Sequence, residues 1–252
     1  MLDLKKSGNP IFKEDTFRPI NFDREGQEVM SLQGTINKTG LLLLFVGVGA
    51  VYSWNYALKI ETWETLKMYS IGCAIAAFVC AIVLNFKKEW AAYLAPAYSL
   101  LQGVSLGIIS CLMDYIFPGI ALQALTITMA IFGVMLLAYK FKLLQATPMF
   151  KKVVIISTIG IGVVYLISIG MRLFGAEMPF LHDNSPIGIG ISLFIVVIAA
   201  LNFILDFHYI EENVKNGAPK NMEWFAAFGL IVTLVWLYIE VLRLLSKLRS
   251  ND

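Results

Sequence analysis

Charge is scarce in this chain. Only 15% of its 252 residues are Asp, Glu, Lys or Arg, against about a quarter in ordinary soluble domains, so a conventional water-facing globule is excluded. The few charges nearly cancel, to a formal net charge of +2, with bases and acids mixed in the polar segments. No basic stripe forms a nucleic-acid footprint, and no nucleic-acid partner is expected. The only histidines, His182 and His208, have no metal-ligand spacing, and no Ser/His/Asp, glycine-rich phosphate or haem motif occurs. The chain is therefore not expected to be an enzyme or to hold a cofactor or metal. Its three cysteines, Cys73, Cys80 and Cys111, fall inside apolar runs, as small buried hydrophobes do, rather than forming a disulfide framework.

What the chain has in quantity is apolar sequence, 58% of its residues. Runs of about 20 apolar residues, rising 1.5 Å each, cross the roughly 30 Å hydrocarbon layer of a bilayer. Such runs fall at about 39–58, 68–86, 91–113, 119–139, 152–173, 187–206 and 224–245, which predicts an all-α membrane protein, a seven-transmembrane-helix bundle. Residues 1–36 read as a polar N-terminal tail and 37–252 as the membrane domain. The tail has no apolar signal-peptide core, so the first span is expected to direct insertion. A short turn around Asp114 to Gly119, with Pro118, makes the third and fourth spans antiparallel neighbours.

Cytoplasmic loops carry the excess of Lys and Arg. On one side lie the tail bases, Lys87 and Lys88, the group Lys140, Lys142, Lys151 and Lys152, and Lys215 with Lys220. The other side has Lys59, Lys67, Arg172, Lys247 and Arg249. The N-terminus is thus expected in the cytoplasm and the C-terminus outside. Gly103 and Gly107 form a small-xxx-small face suited to close helix contact.

Ionisable groups within spans are costly and so are functional candidates. Asp206, at the end of the sixth span, follows Asn202 by four residues and precedes Tyr209 by three, which puts all three on one helical face. This is either a small polar site or an interfacial carboxylate reaching water. Glu240 in the seventh span has Arg243 at i+3, the spacing of an ion pair reaching the interface.

The ordered stretches Asn85-Phe86-Lys87-Lys88, Tyr98-Ser99-Leu100-Leu101-Gln102-Gly103, Pro118-Gly119-Ile120, Gly188-Ile189-Gly190-Ile191-Ser192, Ala200-Leu201-Asn202-Phe203-Ile204-Leu205-Asp206-Phe207 and Gly217-Ala218-Pro219-Lys220-Asn221 together resemble the Bax inhibitor-1 family. The likeness is closest to its bacterial YccA-like branch. It implies that the last helix runs through the middle of the other six. It also implies a pH-sensitive calcium leak across the bacterial inner membrane, gated by two aspartates that share a proton, one on each of the last two helices.

Asp206 matches the aspartate of the sixth helix, but Thr233 stands where the second is expected. A threonine hydrogen-bonds without titrating in that range. Glu223, at the head of the seventh span, substitutes for the missing acid only if its loop folds inward, and Lys87 lies near the family's basic gating position. The same branch implies a second reading, a non-transporting regulator or slowly degraded substrate of the membrane protease FtsH, for which residues 1–36 would be the handle. A plain membrane-flanking tail is the alternative.

Overall fold

The computed structural model describes residues 28–59, 62–175, 178 and 183–251. Residues 1–27 of the expected tail and His182 lie outside the described residues. The described chain forms seven long helices: α1 (Leu32–Ala57), α2 (Trp63–Phe86), α3 (Ala91–Ile116), α4 (Ile120–Lys140), α5 (Pro148–Leu173), α6 (Pro186–Lys215) and α7 (Met222–Arg249). All seven are long and apolar enough to cross a membrane. In that setting the exposed Leu44, Ile71, Phe78, Leu122 and Leu166 face a solvent as apolar as themselves. The chain is a multi-pass, all-α membrane protein.

Local chemistry explains the helix ends. Ser31 caps α1 by accepting a hydrogen bond from Gly34 N at 2.9 Å. Thr147 does the same for α5 from Phe150 N, with Pro148 at the first helical position, where its missing N–H costs nothing. Between α3 and α4 the chain reverses at Gly119, whose φ of +81° favours glycine. There Asp114 Oδ1 accepts from Ala121 N at 3.2 Å, satisfying one of the orphan donors at the start of α4.

The helices gather into two compact units. Among the described residues, the N-terminal unit takes those from Glu28 to Ala121 together with Ile210–Val235, and the C-terminal unit takes Leu122–Tyr209 and those from Trp236 onward.

In the N-terminal unit α1 and α3 approach through glycine. A Cβ on Gly49 would lie 2.6 Å from the Leu100 carbonyl oxygen, and one on Gly103 or Gly107 would collide with the backbone of Val46 or Ala50. The small-residue face expected on α3 is therefore a true helix seam. Ser70 Oγ, 3.1 Å from Ser105 Oγ, ties α2 to α3. Tyr98 of α3 packs edge-on against Phe228 in the first half of α7, ring centroids 4.8 Å apart.

The C-terminal unit is cored by Ile161, Ile195 and Ile198 with Tyr165, Ile191 and Trp236 packed around them. Phe132 of α4 meets Phe203 of α6 at 5.1 Å. Of all seven helices α7 is the most enclosed, with 78% of its apolar stretch buried. Its first half belongs to the N-terminal unit and its second half to the C-terminal unit.

Candidate functional site

On α6 apolar side chains surround two polar ones. Asn202 keeps 1% of its surface exposed and Asp206 none. The helix continues past Asp206 to Lys215, so the carboxylate is enclosed well inside the helix and does not reach out from its end. Phe203 and Phe207 flank it in sequence and pack against Phe132, while Tyr139 reaches Phe207. Tyr209, one turn on, is also buried.

Asn202 is held in one orientation. Its Nδ2 donates to the Ile198 carbonyl at 2.8 Å and to Thr158 Oγ1 of α5 at 2.9 Å. A carbonyl only accepts, so the nitrogen must face Ile198 and the amide cannot be reversed. Asn202 Oδ1 is left without a hydrogen-bond partner, as is Ser99 Oγ, alone among the described buried side-chain nitrogen and oxygen atoms. A buried acceptor in that state costs about 1–3 kcal/mol, so the arrangement has a price in stability.

Thr233, Glu223 and Lys87 fall in the N-terminal unit. Thr233 is buried and turns its hydroxyl back to the Gly229 carbonyl at 3.4 Å, an ordinary helix contact. Glu223 is 1% exposed. Its Oε1 accepts from both Ser31 N and Ser31 Oγ at 2.9 Å, and its Oε2 pairs with Lys38 Nζ. The Lys38 ammonium also sits 5.5 Å from the Trp224 ring centroid. Glu223 thus fastens the start of α1 to the head of α7. Beside it Met30 N donates to the Ala218 carbonyl, Lys220 N to the Glu28 carbonyl, and Lys220 Nζ pairs with Glu28. Lys87 is exposed and ends α2 as its C-cap residue.

Sequence reasoning missed two partners. One is Thr158, a single hydroxyl in the apolar run of α5. The other is Tyr165, which turns the expected Glu240–Arg243 pair into a three-membered cluster in the C-terminal unit. Tyr165 Oη donates to Glu240 Oε1 at 2.6 Å, and Arg243 Nη1 lies 3.0 Å from Glu240 Oε2 and 2.6 Å from Tyr165 Oη. Glu240 is 1% exposed, so this carboxylate is enclosed, while Tyr165 and Arg243 are partly exposed. Lys247, one turn further, donates to the Gly188 carbonyl at 3.0 Å. The i+3 spacing announced the ion pair, but nothing local announced a tyrosine 75 residues away.

Seven spanning helices with carboxylates buried on the last two define a polytopic membrane protein that keeps polar chemistry inside its bundle. The family model described as Bax inhibitor 1 like matches residues 9–250, and the chain belongs to that family. No protein with a curated description matches it significantly.

Proposed function

We propose that this protein is a pH-sensitive leak for cations, calcium foremost, in a bacterial inner membrane, with Asp206 as the carboxylate that passing ions meet. The observation that carries this reading is the wholly enclosed Asp206 one turn from a fixed, unpartnered Asn202 Oδ1. An ionisable group at membrane depth costs about 3 kcal/mol on insertion scales, and an uncompensated acceptor beside it adds to that. The bare amide oxygen is what a cation needs and what packing does not. Calcium prefers six to eight oxygen ligands. Among the described residues no group of three or more His, Cys, Asp or Glu side chains comes together, so an ion would be met weakly enough to leave, as conduction demands. A carboxylate that holds either a proton or a cation makes the flux depend on pH. The membership of the YccA-like branch, the bacterial inner membrane and a cytoplasmic N-terminus with an external C-terminus, from the Lys and Arg asymmetry, belong to this same reading.

The test is calcium flux into proteoliposomes of the purified protein across a pH series, for the native chain and Asp206→Asn. A native flux whose size or pH response changes in Asp206→Asn is the expected result. No flux above empty liposomes at any pH overturns the leak.

One observation favours a second reading. Thr233 stands in place of a second acid and cannot share a proton with Asp206, which removes the paired-carboxylate gate but leaves intact a role as regulator or slowly degraded substrate of the membrane protease FtsH. In that case removing residues 1–27 changes the turnover of the chain or the activity of the protease while leaving any flux alone. Unaltered turnover and activity refute it.

A further inference from the structure

The α5–α6 contact inside the C-terminal unit contains more than the carboxylate. We infer that Asn202 Oδ1 is a second protein oxygen for the cation met by Asp206, and that Thr158 is the residue that positions it. The inference rests on the leak proposed above and adds a ligand and a positioning residue to the same site.

Three observations converge. Asn202 and Asp206 are four residues apart on α6, the spacing that stacks side chains on one helical face, and both are enclosed. The amide is held through its nitrogen by Thr158 Oγ1 and the Ile198 carbonyl, so its two donors are consumed and its oxygen is the only group left to offer. That oxygen has no protein partner, although the residues next to it, Ala200, Leu201, Phe203 and Ile204, are apolar. An amide oxygen is a hard, neutral ligand suited to calcium. Neutral and fixed, it contributes coordination without a further buried charge, and it favours a cation over an anion. Thr158 plays the part that an outer hydrogen-bond partner plays at a metal site, setting the direction in which the ligand faces. The Ile198 bond alone, from the same helix, leaves the amide free to swing about it. Thr158, from the neighbouring helix, removes that freedom.

Calcium flux measured at a series of external calcium concentrations, for native protein, Thr158→Val and Thr158→Ser, tests this. Valine keeps the shape and loses the acceptor, and serine restores it. Thr158→Val should raise the calcium concentration for half-maximal flux about tenfold, the lower end of what losing an outer-shell partner costs at metal sites, while Thr158→Ser stays near native. A purely structural threonine would lower thermal stability and leave the half-saturating concentration unchanged, and that result overturns the inference while the leak stands. Absence of flux in the native chain overturns both. Should Thr158→Val not fold, Asn202→Leu decides. It keeps the approximate volume and removes the oxygen, so it should lower the preference for calcium over sodium, and an unchanged preference rejects Asn202 as a ligand.

Discussion

The head of α7 and the middle of α6 are equally dry and differ in how their polar groups are treated. At the head of α7 the Glu223 carboxylate takes two hydrogen bonds from Ser31 and an ion pair from Lys38, so both of its oxygens are engaged. On α6 the Asn202 amide spends its donors and leaves its oxygen bare, one turn from Asp206. Lipid offers helices no hydrophobic reason to associate, because its tails are as apolar as leucine. Cohesion therefore has to come from close packing and from polar groups that are fully satisfied. The glycine seam of α1 and α3 supplies the first and the Glu223 cluster the second. Asn202 Oδ1 contributes neither, and in the proposed leak it is the oxygen left for a cation.

That contrast is easiest to break at the seam. Ala at Gly103 and Gly107 together would drive methyl groups into the backbone of Val46 and Ala50, which, unlike the Ser53 hydroxyl also met at Gly107, cannot swing aside. Overpacking of this kind costs about 1–3 kcal/mol per site, so the double variant should lose most of its stability in a detergent unfolding experiment. Gly160→Ala on α5 is the matched control. A Cβ there meets nothing within 4 Å, and the gain in helix propensity, about 0.5–1 kcal/mol, should leave Tm unchanged or slightly raised. Equal losses from the double variant and the control would mean that the seam is not what holds α1 against α3.

The seam was legible in sequence from the spacing of Gly103 and Gly107, and the seven spans from their apolar runs, because both signals are local. The helix ends were not. Hydropathy reports the thickness of lipid, whereas a helix continues wherever its backbone is satisfied. Thus α1 begins at Leu32 and not near 39, held by the Ser31 cap, and α6 runs beyond 206 to Lys215 through the polar Glu211 and Glu212. Asp206 and Asn202 stood out as polar residues in an apolar stretch. Thr158 and Tyr165 did not, because a lone hydroxyl in a helix acquires its meaning from a neighbouring helix, and one sequence carries no sign of which helix that is. Glu223 was noticed as an acid, but its partners Ser31 and Lys38 lie more than 180 residues away.

A smaller effect tests whether the Glu223 cluster is cohesive. Lys38→Met retains the length of the side chain and removes the ammonium, leaving the buried carboxylate with Ser31 alone. Because the two Ser31 bonds remain, the loss should be about 1–3 kcal/mol, less than for a buried charge stripped of all partners. Adding Glu223→Gln to Lys38→Met removes the uncompensated charge and should recover part of the loss. If Lys38→Met unfolds at the native temperature, or the double variant is simply additive, the cluster is not an ion pair that stabilises the fold.

The smallest effect belongs to the Lys220–Glu28 pair beside that cluster, which has the same chemistry and opposite exposure. The Glu28 carboxylate, through its hydrogen bond and then its charge, raises the Lys220 ammonium above the ordinary lysine range. A proton held more tightly in the folded state favours folding at every pH below that range, and the contribution fades only as the pH climbs through the raised value. Around neutrality it is fully present, yet water and salt screen a pair this exposed, and the strap is also held by the backbone bonds from Met30 to Ala218 and from Lys220 to Glu28. Lys220→Ala should accordingly leave Tm at pH 7 indistinguishable from native while Lys38→Met lowers it. A clear drop from Lys220→Ala would show that the strap from Glu28 to Ser31 depends on its outer charge as well as on Glu223, and would shift the anchoring of α1 from one buried carboxylate to the whole pairing of residues 28–31 with residues 218–223.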